Sequence, residues 1–402
     1  MHQPMEIPKP NEFTKLLDKV NTIGFLWGIK DIWVTDIKLS RRFVYIYNKF
    51  LYVLYINHVI LSMSVLGSFF TQNDITDKQA NDRLMFGILF PGHLILFYIS
   101  LCYKQRNRNL LYQLAVVLKE HQNDADLERE MIKKIKVFSI TLTVLIFMVF
   151  LLWGLRAVYR MVTAGENFIT LILAWPDVHD ESTTAGVTRV CFYFWWLPFA
   201  TTIMATFLVM VIKLLAICYQ YKNLSVYFYS LNDIFSNVTL SQAEKEMKYE
   251  QAFIVGIQMH SLTLWCKKQH EHISKGLFLI EIMGNCTLLL ALIATLQVGE
   301  RTLSQLITVI VMSISTCVSL GFFMWNGGDI TVEASKLSNA MYSSGWQNCY
   351  GQSSIRIRKL VVNAMRQAQD PVVYKIFGVI DFSYESYVTL IKMPYTAVSV
   401  FY

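Results

Sequence analysis

The sequence predicts an all-α membrane protein with seven transmembrane helices, a cytoplasmic N-terminus and an extracellular C-terminus. Hydrophobic residues make up 54 % of the chain and charged residues 16 %, whereas soluble domains contain about 25 % charged residues. Long apolar runs and an uneven distribution of Lys and Arg are the other two observations. A soluble protein of this composition would lack polar side chains to cover its surface, but a bilayer removes that requirement.

Seven stretches approach or exceed the ~20 apolar residues that a helix needs to cross a ~30 Å hydrocarbon core. They are residues 43–70, 84–103, 137–162, 191–219, 276–299, 306–325 and 372–402. The third and the fifth are unambiguous spans. The first contains Lys49 and His58, and the last contains four charged residues. All seven are nevertheless long enough to span, so we predict a single seven-helix unit over residues 1–402.

The orientation follows from the Lys and Arg residues of the connections, which concentrate on the cytoplasmic side of membrane proteins. Residues 1–42, 104–136, 220–275 and 326–371 contain seven, eight, six and five of them. The alternate connections, 71–83, 163–190 and 300–305, contain two, one and one. All basic connections therefore fall on one side together with the N-terminus, and seven spans place the C-terminus outside.

Several function classes lack support in the sequence. The net charge of +7 is dispersed between apolar runs, which argues against nucleic-acid binding. The seven cysteines form no CxxC pair and have no His at metal-ligand spacing, so no metal site is expected. Phosphate-loop, GxSxG and HExxH motifs are absent. We therefore predict neither an enzyme nor a cofactor.

Two other classes of membrane protein fit these features less well. Rhodopsin-like G-protein-coupled receptors have an extracellular N-terminus, and their DRY and NPxxY signatures are absent here. Secondary transporters usually contain internal repeats with Gly- or Pro-broken helices, and the two halves of this chain do not match. Both alternatives are less consistent with the sequence than a channel subunit is.

The fourth connection, residues 220–275, is predicted to continue as a helix on the cytoplasmic side. Ser241 and Glu244 have the spacing of a capping box. Met247, Phe253 and Ile257 recur at near-helical spacing. This apolar stripe favours packing between subunits, with a solvated surface helix as the alternative.

The C-terminal 60 residues resemble the insect odorant receptors. The matching elements are an aromatic-Ser-x-x-Trp motif, a basic helix, a Met-Arg-x-x-Gln-x-Pro turn and a Tyr-Ser/Thr pair near the end. In this chain they are Tyr342, Ser343 and Trp346; Arg356, Arg358 and Lys359; Met365, Arg366, Gln369, Asp370 and Pro371; and Tyr395 and Thr396. The inverted seven-span plan is also similar. The loop before the fifth span is too short for the insertion of the family's co-receptor, so the chain resembles a ligand-tuned subunit.

This resemblance implies a non-selective cation channel in the plasma membrane of sensory neurons. The chain would bind a small volatile ligand and assemble with co-receptor subunits, as a tetramer surrounded by membrane lipid. A cytosolic anchor, roughly residues 213–275 and 326–371, would hold the subunits together, and the last helix, roughly 380–402, would line the pore. A gustatory-type channel of the same architecture is the closest alternative, separated by the C-terminal motif.

The pore residues are predicted on the least hydrophobic span. Asp381 and Glu385 are four residues apart, hence on one helix face, where they could draw cations inward or instead pair with basic residues of the anchor. The resemblance places an apolar constriction at the last turn. Ala397, Val400 and Phe401 are its candidates.

The ligand site is predicted in the outer halves of the helices, because volatiles need an apolar cavity with few polar groups. Ordinary helix packing is the alternative for each residue, and His93 is the notable polar candidate. The candidates are Phe86, Phe90 and His93; Phe150, Trp153, Gly154 and Ala157; Phe199, Thr202 and Ile203; and Thr308, Val311 and Met312.

Overall fold

The computed structural model describes residues 9–37, 39–298, 303–376 and 378–401, which are mostly helical. The helices are α1 (Glu12–Leu26), α2 (Arg41–Thr71), α3 (Asp77–Cys102), α4 (Lys104–Tyr112), α5 (Leu118–His121), α6 (Ala125–Ala164), α7 (Thr183–Ser230), α8 (Gln242–Val298), α9 (Leu303–Ser335), α10 (Leu337–Tyr342), α11 (Ser354–Ala368) and α12 (Tyr384–Phe401). A π-helical segment, Gln113–Val117, joins α4 to α5, and 3-10 segments occupy Leu231–Ser236 and Trp346–Asn348. Two short strands, β1 (Lys375–Ile376) and β2 (Ile380–Asp381), pair antiparallel.

Within these residues, six helices are long and apolar enough to cross a membrane: α2, α3, α6, α7, α8 and α9. They coincide with the first six predicted spans, so the prediction of an all-helical, multi-pass chain is confirmed. Three of them extend well beyond the hydrocarbon length. The additional turns of α6, α7 and α8 form the connections that the charge distribution assigns to the cytosol.

The seventh predicted span differs from the structure at its beginning. Residues 372–383 form an irregular segment and the β1–β2 hairpin, and α12 begins at residue 384. Gly378 has a φ of +75° in the turn between the strands, a conformation that glycine adopts without a Cβ clash. The hairpin packs on α8, where Lys267 Nζ donates to Val373 O at 2.7 Å and His270 Nδ1 lies 2.7 Å from Tyr374 Oη. These contacts replace the first helical turns.

The prediction that Asp381 and Glu385 lie on one helix face is therefore wrong. Asp381 lies on β2, where its Oδ1 is 3.3 Å from Lys375 Nζ across the strand pair. Glu385 lies in the first turn of α12 and is exposed. The i, i+4 spacing places two side chains together only inside one continuous helix, and the hairpin interrupts it.

Helix α7 forms the centre of the bundle. It is apolar on all sides and buried along most of its length, as expected of a helix enclosed by others. Helices α6, α8 and α9 pack around it. The outer face of α6 exposes apolar side chains such as Ile140 and Val144, which is consistent with contact to lipid.

The predicted cytosolic anchor is a compact helical layer. The C-terminal part of α7 and the N-terminal part of α8 pack against α10 and α11. The capping box predicted at Ser241 is present, since Ser241 N donates to Glu244 Oε2 at 2.8 Å and Glu244 N donates to Ser241 Oγ at 3.4 Å. Helix α11 is amphipathic and buries Ile357, Val361 and Ala364 on one face.

Glu246 connects α8 to the segment before α11. Its carboxylate accepts hydrogen bonds from Tyr350 N at 2.9 Å, from Gly351 N at 2.7 Å and from the Ser353 hydroxyl. Burial opposes ionisation of this carboxyl group, but the hydrogen bonds outweigh it and lower the pKa of Glu246. The ionised side chain therefore holds two parts of the layer together.

The connection between α6 and α7 folds over the opposite end of the bundle. Gln72 at the end of α2 donates from Nε2 to Leu173 O at 3.0 Å, and Val178 N donates to Gln72 Oε1 at 3.1 Å. Arg189 donates to Asp177 O at 2.6 Å and to Asp180 O at 2.7 Å. Backbone groups of an irregular segment need such partners when they are buried.

Candidate ligand-binding cavity

A cavity of about 210 Å³ lies between five helices of the bundle. Helices α3, α6, α7, α8 and α9 each contribute to its wall. The lining residues are Phe86, Leu89, Phe90 and His93; Leu142, Ile146 and Val149; Trp196, Phe199, Ala200, Ile203, Met204 and Phe207; Glu281, Gly284, Asn285 and Leu288; and Met312, Ser315, Thr316 and Ser319. Small-molecule sites have this composition, a mostly apolar wall with a few polar groups.

Four aromatic side chains form one side of the cavity. Phe90 stacks on Phe199 with ring centroids 4.8 Å apart and planes 8° apart. Phe86 meets the rings of Phe90 and Trp196 edge-on, at 5.7 and 5.6 Å. Rings in these arrangements bury large apolar areas and support one another. The aromatic wall is therefore a fixed surface on which a flat apolar molecule can lie.

The cavity also has a polar corner, to which three helices contribute. Ser319 Oγ of α9 donates to Glu281 Oε1 of α8 at 3.3 Å. His93 Nε2 of α3 lies 3.9 Å from Glu281 Oε2, which is too long for a hydrogen bond. Asn285 Nδ2 is buried and donates no hydrogen bond of normal geometry within the described residues. This corner can therefore form hydrogen bonds with one further polar group.

A smaller cavity of about 110 Å³ adjoins the first. Except for Phe150, all its lining residues also line the larger cavity. Phe150 stacks on Tyr193 with centroids 4.3 Å apart, which fixes its ring at this boundary. The two cavities together extend the apolar space along α6.

The structure brings seven of the thirteen predicted ligand-site residues to these walls. Phe86, Phe90, His93, Phe199, Ile203 and Met312 line the larger cavity, and Phe150 lines the smaller one. The six that do not line either cavity are Trp153, Gly154, Ala157, Thr202, Thr308 and Val311.

Trp153 supports the aromatic wall from behind. Its ring meets Phe86 edge-on at 5.5 Å, and its Nε1 donates to Thr170 O at 2.7 Å in the connection that follows α6. Ala157, one turn further along α6, is buried in the same helix packing. These residues hold the wall in place without facing the cavity.

Gly154 does not open ligand space, contrary to the prediction. A Cβ at this position would lie 2.3 Å from Tyr193 Oη. The phenol occupies the room that the missing side chain leaves and donates from Oη to Phe150 O at 2.8 Å. Gly154 is thus required for close packing of α6 against α7.

Thr202 faces away from the cavity. Its Oγ1 donates to Trp27 O at 2.7 Å and lies 3.2 Å from His58 Nε2. It therefore joins α7 to α2 and to the segment after α1. Thr308 and Val311 lie on α9, where Thr308 is buried and Val311 is half-buried, outside both walls.

The prediction missed the contribution of α8 altogether. Glu281, Gly284, Asn285 and Leu288 line the cavity from this helix. A carboxylate within the apolar run 276–299 was the signal that could have identified it, because an ionisable residue at membrane depth usually faces a partner or a cavity.

Ala397, Val400 and Phe401 stay predictions, because their side chains lie outside the described residues. The described part of α12 exposes a polar stripe of Glu385, Thr389, Lys392 and Thr396, two of which are charged. Their spacing of four, three and four residues puts them on one helix face. Tyr387, on the other face, donates from Oη to Cys317 O at 3.2 Å and packs against Trp325.

Comparison with known proteins gives a consistent result. A profile of the 7tm Odorant receptor family matches residues 76–395. The chain is similar in fold to the insect olfactory receptor OR5 from Machilis hrabei, with a TM-score of 0.75 and 12 % identity over 97 % of this chain and 98 % of that one. The same receptor in complex with eugenol superposes with a TM-score of 0.73 and 12 % identity, over 96 % and 97 % of the two chains. No curated protein matches the sequence.

Proposed function

This chain belongs to the 7tm odorant receptor family, and we propose that it is the ligand-tuned subunit of an odorant-gated, non-selective cation channel. A small volatile molecule binds in the cavity between α3, α6, α7, α8 and α9, and binding shifts the pore toward its open state. The observation that carries this proposal is the apolar cavity with a single polar corner, in a family of odorant receptors.

The cavity indicates the class of ligand. An apolar cavity of about 150 Å³ holds benzene, so 210 Å³ accommodates a ring of that size with a short substituent. The aromatic wall favours a flat apolar body, and the corner of His93, Glu281 and Ser319 favours one hydroxyl or carbonyl group. Eugenol, a substituted phenol, is bound by the olfactory receptor OR5 from Machilis hrabei and has these two parts.

Recording from cells that express the chain with an odorant receptor co-receptor tests the channel proposal. Ligand-evoked cation currents should appear in excised patches without GTP, because the same complex binds the ligand and conducts. A response that disappears when GTP is withdrawn, while the complex stays intact, would instead favour a receptor coupled to G proteins. Currents evoked by sugars alone would favour the gustatory-type channel.

We assign the conduction path to the polar face of α12. Glu385, Thr389 and Lys392 are exposed on the isolated chain, and polar side chains on a membrane helix usually face water or a partner. In the proposed tetramer, this face and the corresponding helices of the co-receptor subunits surround an axis and form a hydrated path. Of the predicted constriction residues, Val400 continues this face toward the outer end, four residues after Thr396, and a ring of apolar side chains there gates by excluding water.

Cysteine substitution tests this assignment. Thr389→Cys and Val400→Cys should make the current sensitive to a small charged thiol reagent, more strongly in the presence of ligand. Phe147→Cys is the matched control, because Phe147 is exposed on the apolar outer face of α6 and the charged reagent does not enter lipid. Confirmed labelling at both test positions with an unchanged current contradicts a pore-lining α12.

The co-receptor is the proposed partner, and the anchor layer is the proposed contact. This layer exposes several large apolar side chains, among them Met247, Ile355 and Val362, and exposed apolar surface of this kind marks protein interfaces. Met247→Glu with Val362→Glu should reduce co-purification of the co-receptor. Equal recovery of the complex with both charged variants would place the contact elsewhere.

The proposed orientation has a cytosolic N-terminus and an extracellular C-terminus in the plasma membrane of sensory neurons. It is supported by the distribution of basic residues between the connections. A tag after Tyr402 should be accessible to antibody on intact cells, whereas an N-terminal tag should require permeabilised cells. A glycan on Asn237 would contradict this orientation, since the sequon Asn237-Val-Thr lies in a connection assigned to the cytosol.

A further inference from the structure

A second cavity, separate from the odorant cavity, lies where α1 crosses α6 and α7. Its volume is about 390 Å³, and it shares no lining residue with the odorant cavity. Its wall is apolar along its length and includes Val20 and Ile23 of α1, Ile140 and Val144 of α6, and Leu208 of α7. We refer to it as the α1 groove.

Contacts at the start of α1 fix this helix against the bundle. Asn11 caps the helix and donates from Nδ2 to Ala115 O at 2.8 Å. Phe13 N donates to Glu128 Oε1 of α6 at 3.1 Å. Phe13 and Leu17 are fully buried beneath the helix. Helix α1 is therefore anchored to the bundle at this end, and the groove lies beside the anchored helix.

The groove opens toward the lipid-facing surface of α6. Ile140 and Val144 line it and are 64 % and 54 % exposed on the isolated chain, and Val137 and Phe147 continue this exposed apolar surface along α6. Ile23 on the other wall is 46 % exposed. Apolar surface that continues into a lipid-facing helix is expected to be filled from the bilayer.

Two lysines stand at the mouth of the groove. Lys19 of α1 and Lys136 of α6 both line it and are exposed. Within the described residues neither ammonium group has a carboxylate partner within 4.0 Å; the neighbouring carboxylate of Glu12 is paired with Lys15 at 2.6 Å. The α1 groove, which is apolar and has two cationic side chains at one end, fits a molecule with a hydrocarbon chain and an anionic head.

We propose that the α1 groove binds an anionic phospholipid of the leaflet that surrounds α1. One acyl chain lies between α1, α6 and α7, and the headgroup, with its net negative charge, contacts Lys19 and Lys136. In a zwitterionic lipid such as phosphatidylcholine the choline cation offsets the charge of the phosphate, and a free phosphate leaves the apolar wall uncovered. With the proposed cytosolic N-terminus this is the inner leaflet, where anionic lipids concentrate.

The charge contribution can be sized from the two lysines. A Lys near an anionic membrane surface contributes about 1 kcal/mol, a factor of about five. The pair therefore gives phosphatidylserine up to about 25-fold preference over phosphatidylcholine. Groove filling contributes equally for both lipids, since their acyl chains are the same.

Photo-labelling of the full chain in lipid nanodiscs tests the proposal. The probe is phosphatidylserine with a diazirine in one acyl chain, and labelled peptides are mapped by mass spectrometry. Labels should concentrate in residues 12–26 and 135–144, and unlabelled phosphatidylserine should compete at least five times better than phosphatidylcholine. Nanodiscs carry the same lipids in both leaflets, so this result does not depend on the orientation of the chain.

Matched variants separate the site from general membrane attraction. Lys19→Gln with Lys136→Gln should bring the two competitors to within about twofold. Lys133→Gln with Lys359→Gln removes the same charge from exposed lysines outside the groove and should keep the preference. Ser139→Trp, which fills the groove, should reduce labelling severalfold.

Several results would overturn the proposal. Labels spread over all lipid-facing helices, equal competition by the two lipids, or an equal effect of the two lysine pairs would each exclude a specific anionic site. Displacement of the probe by an activating odorant, but not by phosphatidylserine, would make the groove a second odorant site. The lysine variants change exposed side chains, so the test stands even if Ser139→Trp fails to fold.

Discussion

The polar corner of the odorant cavity should determine discrimination between ligands that differ in one hydrogen-bonding group. Glu281 Oε1 accepts from Ser319 Oγ at 3.3 Å, whereas Oε2 is 3.9 Å from His93 Nε2 and remains able to bond a ligand. A hydrogen bond from the ligand to this carboxylate contributes about 1.5–3 kcal/mol, which corresponds to roughly 13- to 160-fold in affinity. An alcohol ligand should therefore be more potent than its methyl ether by this factor.

Glu281→Leu should abolish this discrimination. The variant replaces the carboxylate with an apolar side chain, so the ratio of half-maximal concentrations for ether and alcohol should fall to about one. Dose-response currents give the ratio for each receptor, and effects of the substitution on gating cancel because both ligands act on the same channel. Ser319→Ala, which removes the partner of Oε1, should lower the ratio partly.

Ile146→Leu is the matched control for this experiment. Ile146 lines the same cavity, and the substitution conserves volume without changing polar groups. It should shift both ligands alike and keep the ratio. A ratio that is unchanged in Glu281→Leu, at normal surface expression, refutes the assignment of the polar corner.

Three further predictions concern stability and the wall of the cavity. Gly154→Ala should lower the thermal unfolding temperature in detergent, because its Cβ would lie 2.3 Å from Tyr193 Oη, whereas Gly186→Ala, which has open space, should not. Glu246→Gln should cost about 1.5–3 kcal/mol near neutral pH. Since the folded pKa of Glu246 is lowered, the wild-type advantage should be complete above the unfolded pKa and disappear as pH falls through the folded value; an advantage that is constant with pH would contradict this. Trp153→Ala should change ligand rank order more than maximal current, because it removes the support behind Phe86 at a cost of about 3–5 kcal/mol; unchanged dose-response curves across an odorant panel would exclude this role.

The first six spans were predictable because hydropathy and length determine them locally. The residues at which the helices begin and end were harder to predict. Helix α6 begins at residue 125, well before the predicted 137, since Asp124 caps it by accepting from Asp126 N and Leu127 N. Helix α8 joins a predicted cytosolic helix to a predicted span, because no strong helix breaker separates them. Hydropathy indicates which residues lie in the hydrocarbon core of the membrane, but it does not indicate where a helix begins or ends.

The error in the last span has a different cause. Residues 372–380 are apolar enough to continue a membrane helix, and only Pro371 and Gly378 indicate otherwise. The segment folds as a hairpin because α8 offers partners to it, Lys267 for Val373 O and His270 for Tyr374 Oη. Those partners are more than 100 residues away in sequence, so a local pattern does not reveal them.

The residues of the candidate site were likewise predicted correctly in part. Aromatic residues in the outer halves of the spans were identified correctly where the helix turns them inward, as for Phe90 and Phe199. Gly154 and Thr202 were misplaced, because the direction of a side chain depends on which neighbour each helix face meets. Tyr193 fills the room at Gly154, and Trp27 O accepts from Thr202.

Polar side chains inside the bundle fall into two groups: those that join parts of the fold to each other, and those that face the cavity. Lys213 Nζ donates to Asn107 Oδ1 at 2.5 Å, and His270 lies against Tyr374 Oη at 2.7 Å. Each of these side chains joins two parts of the fold away from the cavity, as buried polar groups usually do. Glu281 differs, since it lies on the cavity wall and one of its oxygens can still accept a hydrogen bond. A carboxylate at membrane depth is costly, and in the proposed complex a ligand hydroxyl is the partner that offsets this cost.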